Sequence, residues 1–403
     1  MVRLLYQYRR RGTYNLWLNV GDVMLKKFEL KNYKNFKESL TIDFSKVGAF
    51  QFNPECLTDN IISKILIYGK NATGKTNLGT AIMDIHSNLF GYTNVEECSF
   101  LNANSQDESA LFSYTFVFGN DELLYEYSKD SYKEFRDEKL CINGKQIFCC
   151  DFANGEFDFC NLECINAETL NTERYVQSSE MYNCVEEQIE TRLPFLRWVI
   201  SNTILQENSN ILKLIEYVRR MDMISVGNLM KRSQREDYQK FFEFLGKKEE
   251  LEAFEEFLNT MGVQCKLTLE RLPDNQRELY FKYDKLITFY DNASSGTIAL
   301  ADIYYKVVAN SHLASFIYID EFDAFYHYEI AEKLVNYFKE IYPKCQIIIT
   351  SHNTKLISNR LMRPDCLFIL SREGKLTSLC DATTRELREG HNLEKMYIAG
   401  EFD

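Results

Sequence analysis

Positive charge is in deficit along this chain: 47 lysines and arginines stand against 59 aspartates and glutamates in 403 residues, a formal charge of −12. That balance argues against a globally basic nucleic-acid binder and leaves room only for a local basic patch. The five histidines are scattered and none of the twelve cysteines forms a CxxC pair, so a zinc framework has little support. The adjacent Cys149 and Cys150 and the pair Cys160 and Cys164 read as small core residues. No run of eighteen apolar residues occurs, and the first 22 residues, with Tyr8-Arg9-Arg10-Arg11 ahead of a short broken apolar stretch, do not read as a secretory signal. A soluble cytoplasmic protein with no membrane partner is the expectation. Internal repeats, low-complexity tracts and long heptad arrays are lacking too, which argues against solenoids and extended coiled-coil arms.

What is present is a phosphate loop in its proper setting. Ile65-Leu66-Ile67-Tyr68 is an apolar, β-rich run; Gly69-Lys70-Asn71-Ala72-Thr73-Gly74-Lys75-Thr76 follows, and Asn77-Leu78-Gly79-Thr80-Ala81-Ile82 has helical character. This is G-x-x-x-x-G-K-[ST] between a strand and a helix. Gly69 and Gly74 permit close backbone approach, the loop amides and the helix N-terminus cradle phosphates, and Asn77 continues the contact surface. Lys75 is placed to reach the β- and γ-phosphates and the Thr76 hydroxyl to bind Mg2+. The ligand expected is a nucleoside triphosphate.

The remaining pattern alternates short apolar strands with helices, which predicts an α/β fold with a largely parallel sheet. Leu25 to Leu30 and Leu40 to Phe44 read as strands. Residues 111–150 alternate aromatic and polar groups, better suited to a sheet core than to a base-stacking platform, because the region is acid-rich. Val185 to Val226 and Lys231 to Phe257 have helical periods. The expected division is an N-terminal extension (1–23), the first part of the nucleotide-binding domain (24–164), an inserted helical lobe (165–262) and the second part of that domain (263–403).

Phe316-Ile317-Tyr318-Ile319-Asp320-Glu321-Phe322-Asp323 is an apolar strand ending in carboxylates. There Asp320 is suited to share Mg2+ with Thr76, and Glu321 to orient or deprotonate the attacking water. A second strand, Cys345 to Thr350, ends in Ser351-His352-Asn353, which puts His352 on the γ-phosphate side. His327 is as readily a packing residue, and His86 is read as structural. Ser294-Ser295-Gly296-Thr297 before a helix is a further anion-binding tip. One chain already holds a complete phosphate loop, so this tip is most useful facing the nucleotide of another copy. That predicts two copies head-to-tail around two ATP molecules.

These segments resemble the Walker A (Gly69–Thr76), signature (Ser294–Thr297), Walker B (Tyr318–Asp323) and histidine-switch (Ser351–Asn353) segments of ABC-type ATPases. Phe28-Glu29-Leu30-Lys31-Asn32-Tyr33-Lys34-Asn35-Phe36 resembles their SMC/RecF-like, non-transporter branch. Leu387-Arg388-Glu389-Gly390-His391-Asn392-Leu393-Glu394-Lys395-Met396-Tyr397 is similar to the AAA15, RloA-like bacterial ATPases. The resemblance spans residues 24–403 and implies an ABC-type P-loop domain with a mixed sheet. It also implies a homodimer as the minimum ATPase unit, with larger homo-oligomers compatible. Members of that family are similar to ATPase components of anti-phage defence and abortive-infection systems, which act beside a separate effector such as a nuclease or toxin. The chain departs from the pattern in two places. Asp291-Asn292-Ala293 precedes the serines without the leucine common in transporters, and the usual lid-loop glutamine has only Gln188 and Gln206 as candidates by region. No second nuclease constellation occurs, so nuclease activity within the chain is not expected.

The reading is therefore a Mg2+-dependent ATPase switch for a partner effector. Two alternatives stay open at this stage. One is a DNA-repair ATPase using Arg219-Arg220, Lys231-Arg232 and Arg235 against phosphate; the other is a low-turnover ATP-bound scaffold restraining an effector.

Overall fold

A computed structural model describes residues 23–91, 99–183, 192–206, 209–226, 235–309 and 314–402. In chain order it begins with β1 (Val23–Lys31), β2 (Leu40–Asp43), the short β3 (Leu57–Thr58) and β4 (Ile61–Ile62), and β5 (Lys64–Tyr68). Helices α1 (Lys75–Ile82) and α2 (Asp84–Phe90) lead to β6 (Ala110–Phe118), β7 (Asp121–Lys129), β8 (Phe135–Ile142), β9 (Lys145–Asp151) and β10 (Glu156–Asp158). Next come α3 (Thr172–Asn183), α4 (Phe195–Asn202), α5 (Asn210–Arg219), β11 (Met221–Ser225), α6 (Arg235–Phe244) and α7 (Lys248–Thr260). A small sheet of β12 (Leu267–Arg271), β13 (Arg277–Lys282) and β14 (Leu286–Thr288) precedes α8 (Phe289–Asn292) and α9 (Ser295–Ile303). The chain closes with β15 (Phe316–Asp320), α10 (Tyr328–Ile341), β16 (Gln346–Ser351), β17 (Leu367–Leu370), β18 (Leu376–Ser378) and α11 (Leu393–Ile398).

Two sheets carry the architecture, and the fold class is the mixed α/β one expected. The first is antiparallel, in the order β10-β9-β8-β7-β6-β1-β2. Along β6 and β7 the side chains of Phe112, Tyr114, Phe116, Phe118, Leu123, Tyr125 and Tyr127 are all buried, as period-two alternation requires. Their rings pack on one another, with Tyr114 and Phe116 stacked at 6.4 Å and Phe112 and Tyr127 at 5.4 Å. The aromatic stretch is thus sheet core.

The second sheet has the order β11-β15-β16-β5-β17-β18, parallel except for β18. Every residue of β5, β15 and β16 is buried, which is why these strands read as unbroken apolar runs. Parallel register brings their C-terminal ends to one edge, with Ser225 opposite Asp320 and Ser351 opposite Tyr68. That edge positions the site.

Several expectations are corrected in detail. Met221–Ser225, inside a stretch with helical periodicity, is an edge strand of the parallel sheet; its Met and Ile fit either period, and pairing with β15 decides. Residues 165–262 are accordingly not purely helical: β11 returns the chain to the nucleotide-binding sheet between α5 and α6. The long helix read from Lys231 is two helices, α6 and α7, divided around Leu245–Lys247. Cys150 is buried, but Cys160 and Cys164 are exposed rather than core residues. Residues 1–22, Gln188 and Lys231-Arg232 lie outside the described residues, whereas Val23 is the first residue of β1. Among the described residues no helix is long and apolar enough to cross a membrane.

A buried amide links the two sheets. Gln346, at the start of β16 and 1% exposed, accepts from Leu25 N with Oε1 (2.8 Å) and donates to Leu25 O with Nε2 (2.8 Å). Tyr217 OH donates to the same Oε1 at 2.6 Å. The side chain replaces a peptide unit where the β1–β6 ladder is irregular, between Leu25 and Lys27. Gln346→Ala leaves three buried polar groups without this partner and is expected to lower unfolding stability by about 2–5 kcal/mol, read as a shift of the urea midpoint.

Candidate nucleotide site

The loop from Gly69 to Gly74 turns back on itself at two left-handed residues, Ala72 (φ 62°) and Gly74 (φ 98°). Lys70, Asn71, Ala72 and Thr76 are exposed, while Thr73 and Lys75 are buried. The Lys75 ammonium lies inside the turn and donates to Gly69 O (2.7 Å) and Lys70 O (3.1 Å). Burial lowers its pKa, opposed by the nearby carboxylates of Glu321, Asp320 and Asp323. Tyr318 OH, from β15 beneath the helix, donates to Lys75 O at 2.5 Å and fixes where α1 begins. A concave backbone turn with a cation at its centre is suited to a phosphate chain.

Asn35 is a second clamp on this loop. Its Nδ2 donates to Thr73 O (2.8 Å), and its Oδ1 accepts from Asn77 Nδ2 (2.8 Å). It lies so close over Gly74 that a Cβ there would stand 2.0 Å from Asn35 Nδ2, so only glycine fits. Sequence reading named Asn35 within the Phe28–Phe36 segment and gave it no role at the loop. The signal was its place in the turn after β1, which has meaning only once β1 is packed beside the loop.

At the neighbouring strand ends, Asp320 is 2% exposed and each of its oxygens accepts a hydroxyl. Thr76 Oγ1 donates to Oδ2 (2.6 Å), and Thr350 Oγ1, from β16, donates to Oδ1 (2.8 Å). The Thr350 oxygen also accepts from Glu321 N at 2.9 Å. Glu321 adopts a left-handed conformation (φ 49°), uncommon for a residue with a side chain and a type of strain found at functional turns. Thr350 is the second residue that sequence reading missed, since a buried threonine at a strand end is indistinguishable from a core residue before the strand order is known.

Ser351 links the remaining segments. Its carbonyl accepts from Gly69 N (3.1 Å), and its hydroxyl donates to Asp323 Oδ2 (2.7 Å) and accepts from Asn353 N (2.9 Å). His352 lies between Ser351 and Asn353 and is exposed. The structure therefore brings Gly69–Asn77, Asp320, Glu321 and the His352 turn to one edge of the sheet. His327 is exposed at the start of α10, and His86 packs against Phe90 with ring centroids 5.0 Å apart. Gln206 bonds Asn166 (3.2 Å).

The Ser294–Thr297 tip caps α9. Ser294 Oγ accepts from Thr297 N (3.2 Å) and shares a 2.9 Å hydrogen bond with Thr297 Oγ1. Ser294 and Ser295 are exposed and Thr297 is buried. Gly296 abuts the turn beyond the carboxylates: a Cβ on it would lie 3.0 Å from Phe325 O. The Ser294 hydroxyl is thus engaged within the tip itself.

Thr76 and Asp320 offer hard oxygen donors 2.6 Å apart, a set that fits Mg2+ bringing phosphate and water ligands with it. Among the described residues no group of three or more His, Cys, Asp or Glu could hold a metal ion.

Strand, phosphate loop and helix define the class: a P-loop nucleotide-binding fold of the ATPase type. The family described as "AAA domain, putative AbiEii toxin, Type IV TA system" matches residues 200–358, less than half of the chain. That span includes Ser294–Thr297, Asp320, Glu321 and His352 but not the phosphate loop. No curated protein matches. Among solved structures, the chain is similar to an SMC head bound to the C-terminal winged-helix domain of ScpA (TM-score 0.47, 14% identity, 88% of this chain and 97% of that one). It is also similar to the SMC head domain from Thermotoga maritima (TM-score 0.44, 14% identity, 88% and 98%). These likenesses are too remote to assign a role to any residue.

Asn35→Ala removes both hydrogen bonds across the loop while leaving every residue from Gly69 to Asn77 in place. It is expected to weaken binding of a non-hydrolysable ATP analogue about tenfold, measured by titration calorimetry.

Proposed function

We propose that the protein is a Mg2+-dependent ATPase that works as a head-to-tail homodimer, and that it acts as a sensor or switch for a separate effector, such as a nuclease or toxin, in anti-phage defence. The observation that carries the ATPase reading is the hydrogen-bonded set Thr76–Asp320–Thr350–Glu321 at adjoining strand ends beside a formed phosphate loop.

In this reading Gly69, Lys70, Asn71, Ala72, Thr73, Gly74 and Asn77 hold the nucleotide's phosphate chain. Lys75 exchanges its two carbonyl partners for phosphate oxygens. Thr76 and Asp320 would hold Mg2+, which supplies charge neutralisation of the phosphates when bound. Glu321 orients the attacking water and takes its proton, and His352 contacts the γ-phosphate side. The Ser294, Ser295, Gly296 and Thr297 tip of a second copy, through its exposed serines, completes each site, so loss of the γ-phosphate loosens the pair. The useful output is then engagement or release of the effector. The matching family, described as a putative AbiEii toxin of a Type IV TA system, supports a dedicated partner.

The DNA-clamping alternative loses support from its own residues. Arg219 and Arg220 both pair with Glu216, which reduces the positive charge they offer to phosphate.

Glu321→Gln should retain ATP binding, lower kcat about 100-fold or more and accumulate an ATP-dependent dimer, seen by light scattering. Turnover at the wild-type rate would remove the water-handling role. Ser295→Arg places a bulky cation on the exposed tip and should abolish assembly-dependent hydrolysis while leaving monomer ATP affinity within about threefold; intact dimerisation and turnover would rule out the shared site.

A further inference from the structure

The turn beyond the catalytic carboxylates contains two buried polar atoms that the scheme above does not use. Asp323 is 6% exposed; its Oδ2 accepts from Ser351 Oγ at 2.7 Å, but its Oδ1 is buried without a hydrogen-bond partner. Three residues on, the Tyr326 hydroxyl is buried and likewise without a partner. The two residues share one turn, in which Tyr326 N donates to Asp323 O at 3.4 Å, and burial, the charge of Asp302 on α9 and that of Asp323 all raise the Tyr326 pKa. One group is an acceptor and the other a donor. Each unpaired group carries an uncompensated desolvation penalty, and a hydrogen bond between them would remove both.

Other donors around Asp323 are committed or face outward. Ser351 Oγ already holds Oδ2. Lys75 is held by Gly69 O and Lys70 O. His352 is exposed; burial raises the Asp323 pKa, and the Ser351 hydroxyl, the His352 charge, the backbone amide of Asp323 and the Lys75 charge oppose that rise. The Tyr326 ring, meanwhile, lies beside the serine tip: its Cδ1 would be 4.0 Å from a Cβ on Gly296. Tyr326 therefore touches the tip expected to meet a second copy's nucleotide, while its hydroxyl neighbours the carboxylate that anchors the His352 turn.

We propose that Tyr326 is a positioning residue whose hydroxyl donates to Asp323 Oδ1 in the hydrolysis-competent state, fixing the Asp323–Ser351 anchor when the Ser294–Thr297 tip is engaged. This rests on the ATPase reading given above. The bond forms between existing donor and acceptor, with no chemistry beyond a hydrogen bond. It ties turnover in one site to the seating of that chain's own tip.

The test compares full-length wild type, Tyr326→Phe, Asp323→Asn and the double variant in steady-state ATP hydrolysis and thermal unfolding. Tyr326→Phe removes one oxygen. In the nucleotide-free protein its melting temperature should be unchanged or higher, because a buried unpaired hydroxyl has gone; a hydroxyl serving only to hold the fold would instead lower it. With ATP, kcat should fall about tenfold while KM stays within about twofold, and the double variant should be no slower than Asp323→Asn. Wild-type kcat in Tyr326→Phe, or effects of the two substitutions that multiply, would overturn the pairing. Absence of turnover in the wild-type chain would instead remove the ATPase reading itself.

Discussion

The hydroxyl of Thr350 stands between the two carboxylate residues and serves both, donating to Asp320 Oδ1 and accepting from Glu321 N. A carboxylate as buried as Asp320 is tolerable only where its oxygens are hydrogen-bonded. Here the donors come from different elements, Thr76 at the start of α1 and Thr350 in β16. The desolvation cost of one side chain thus fixes the phosphate-loop helix to the two strands beside it. The same contact lets Glu321 leave the strand in a left-handed turn, because its amide has a partner at the point where the ladder stops. Parallel pairing is what makes this possible: Ile319 opposite Ile349 and Ser351 opposite Tyr68 set the strand ends level.

Much of this was legible in the chain. The phosphate loop announces itself because its eight-residue spacing has few structural reasons to exist otherwise, and Asp320-Glu321 stands at the end of an apolar run whose length suits a buried strand. Aromatic residues of β6 and β7 were assignable to core because alternation and acidity pointed the same way. The clamps were not legible. Asn35, Thr350, Ser351 and Gln346 act across sequence distances that no local pattern reports, and each is an ordinary polar residue until the strand order is known. Met221–Ser225 failed for a related reason: a five-residue apolar segment fits either period, and the neighbouring strand decides. Cys160 and Cys164 failed because small size favours burial only on average.

The loop's own chemistry offsets part of the cost of burying a lysine before any ligand arrives. Gly69 O and Lys70 O supply two acceptors to the ammonium, and three acidic residues lie near enough to oppose the lowering of its pKa by burial. Exchange of carbonyls for phosphate oxygens then trades hydrogen bonds of the same kind, so the net gain comes from charge rather than from bond count. Asn35 restrains the same loop from outside through Thr73 O. A loop held on both faces loses little conformational entropy on binding, the condition under which contact energy appears as affinity.

Electrostatics also constrain what can enter. Asp320, Glu321 and Asp323 all act on Lys75, so the nearby acidic groups outnumber that cation before a nucleotide is considered. The chain as a whole, at −12, offers no compensating field. A triphosphate approaching alone would meet carboxylates close to the position its terminal phosphate must take, and repulsion between unit charges a few ångströms apart is about 1 kcal/mol even in water and several times that in a partly buried site. In the proposed reaction the polyanion must therefore arrive with its own divalent cation, to which Thr76 and Asp320 present oxygens. The acidity that makes the turn unsuited to a bare anion is what suits it to a metal-bound one.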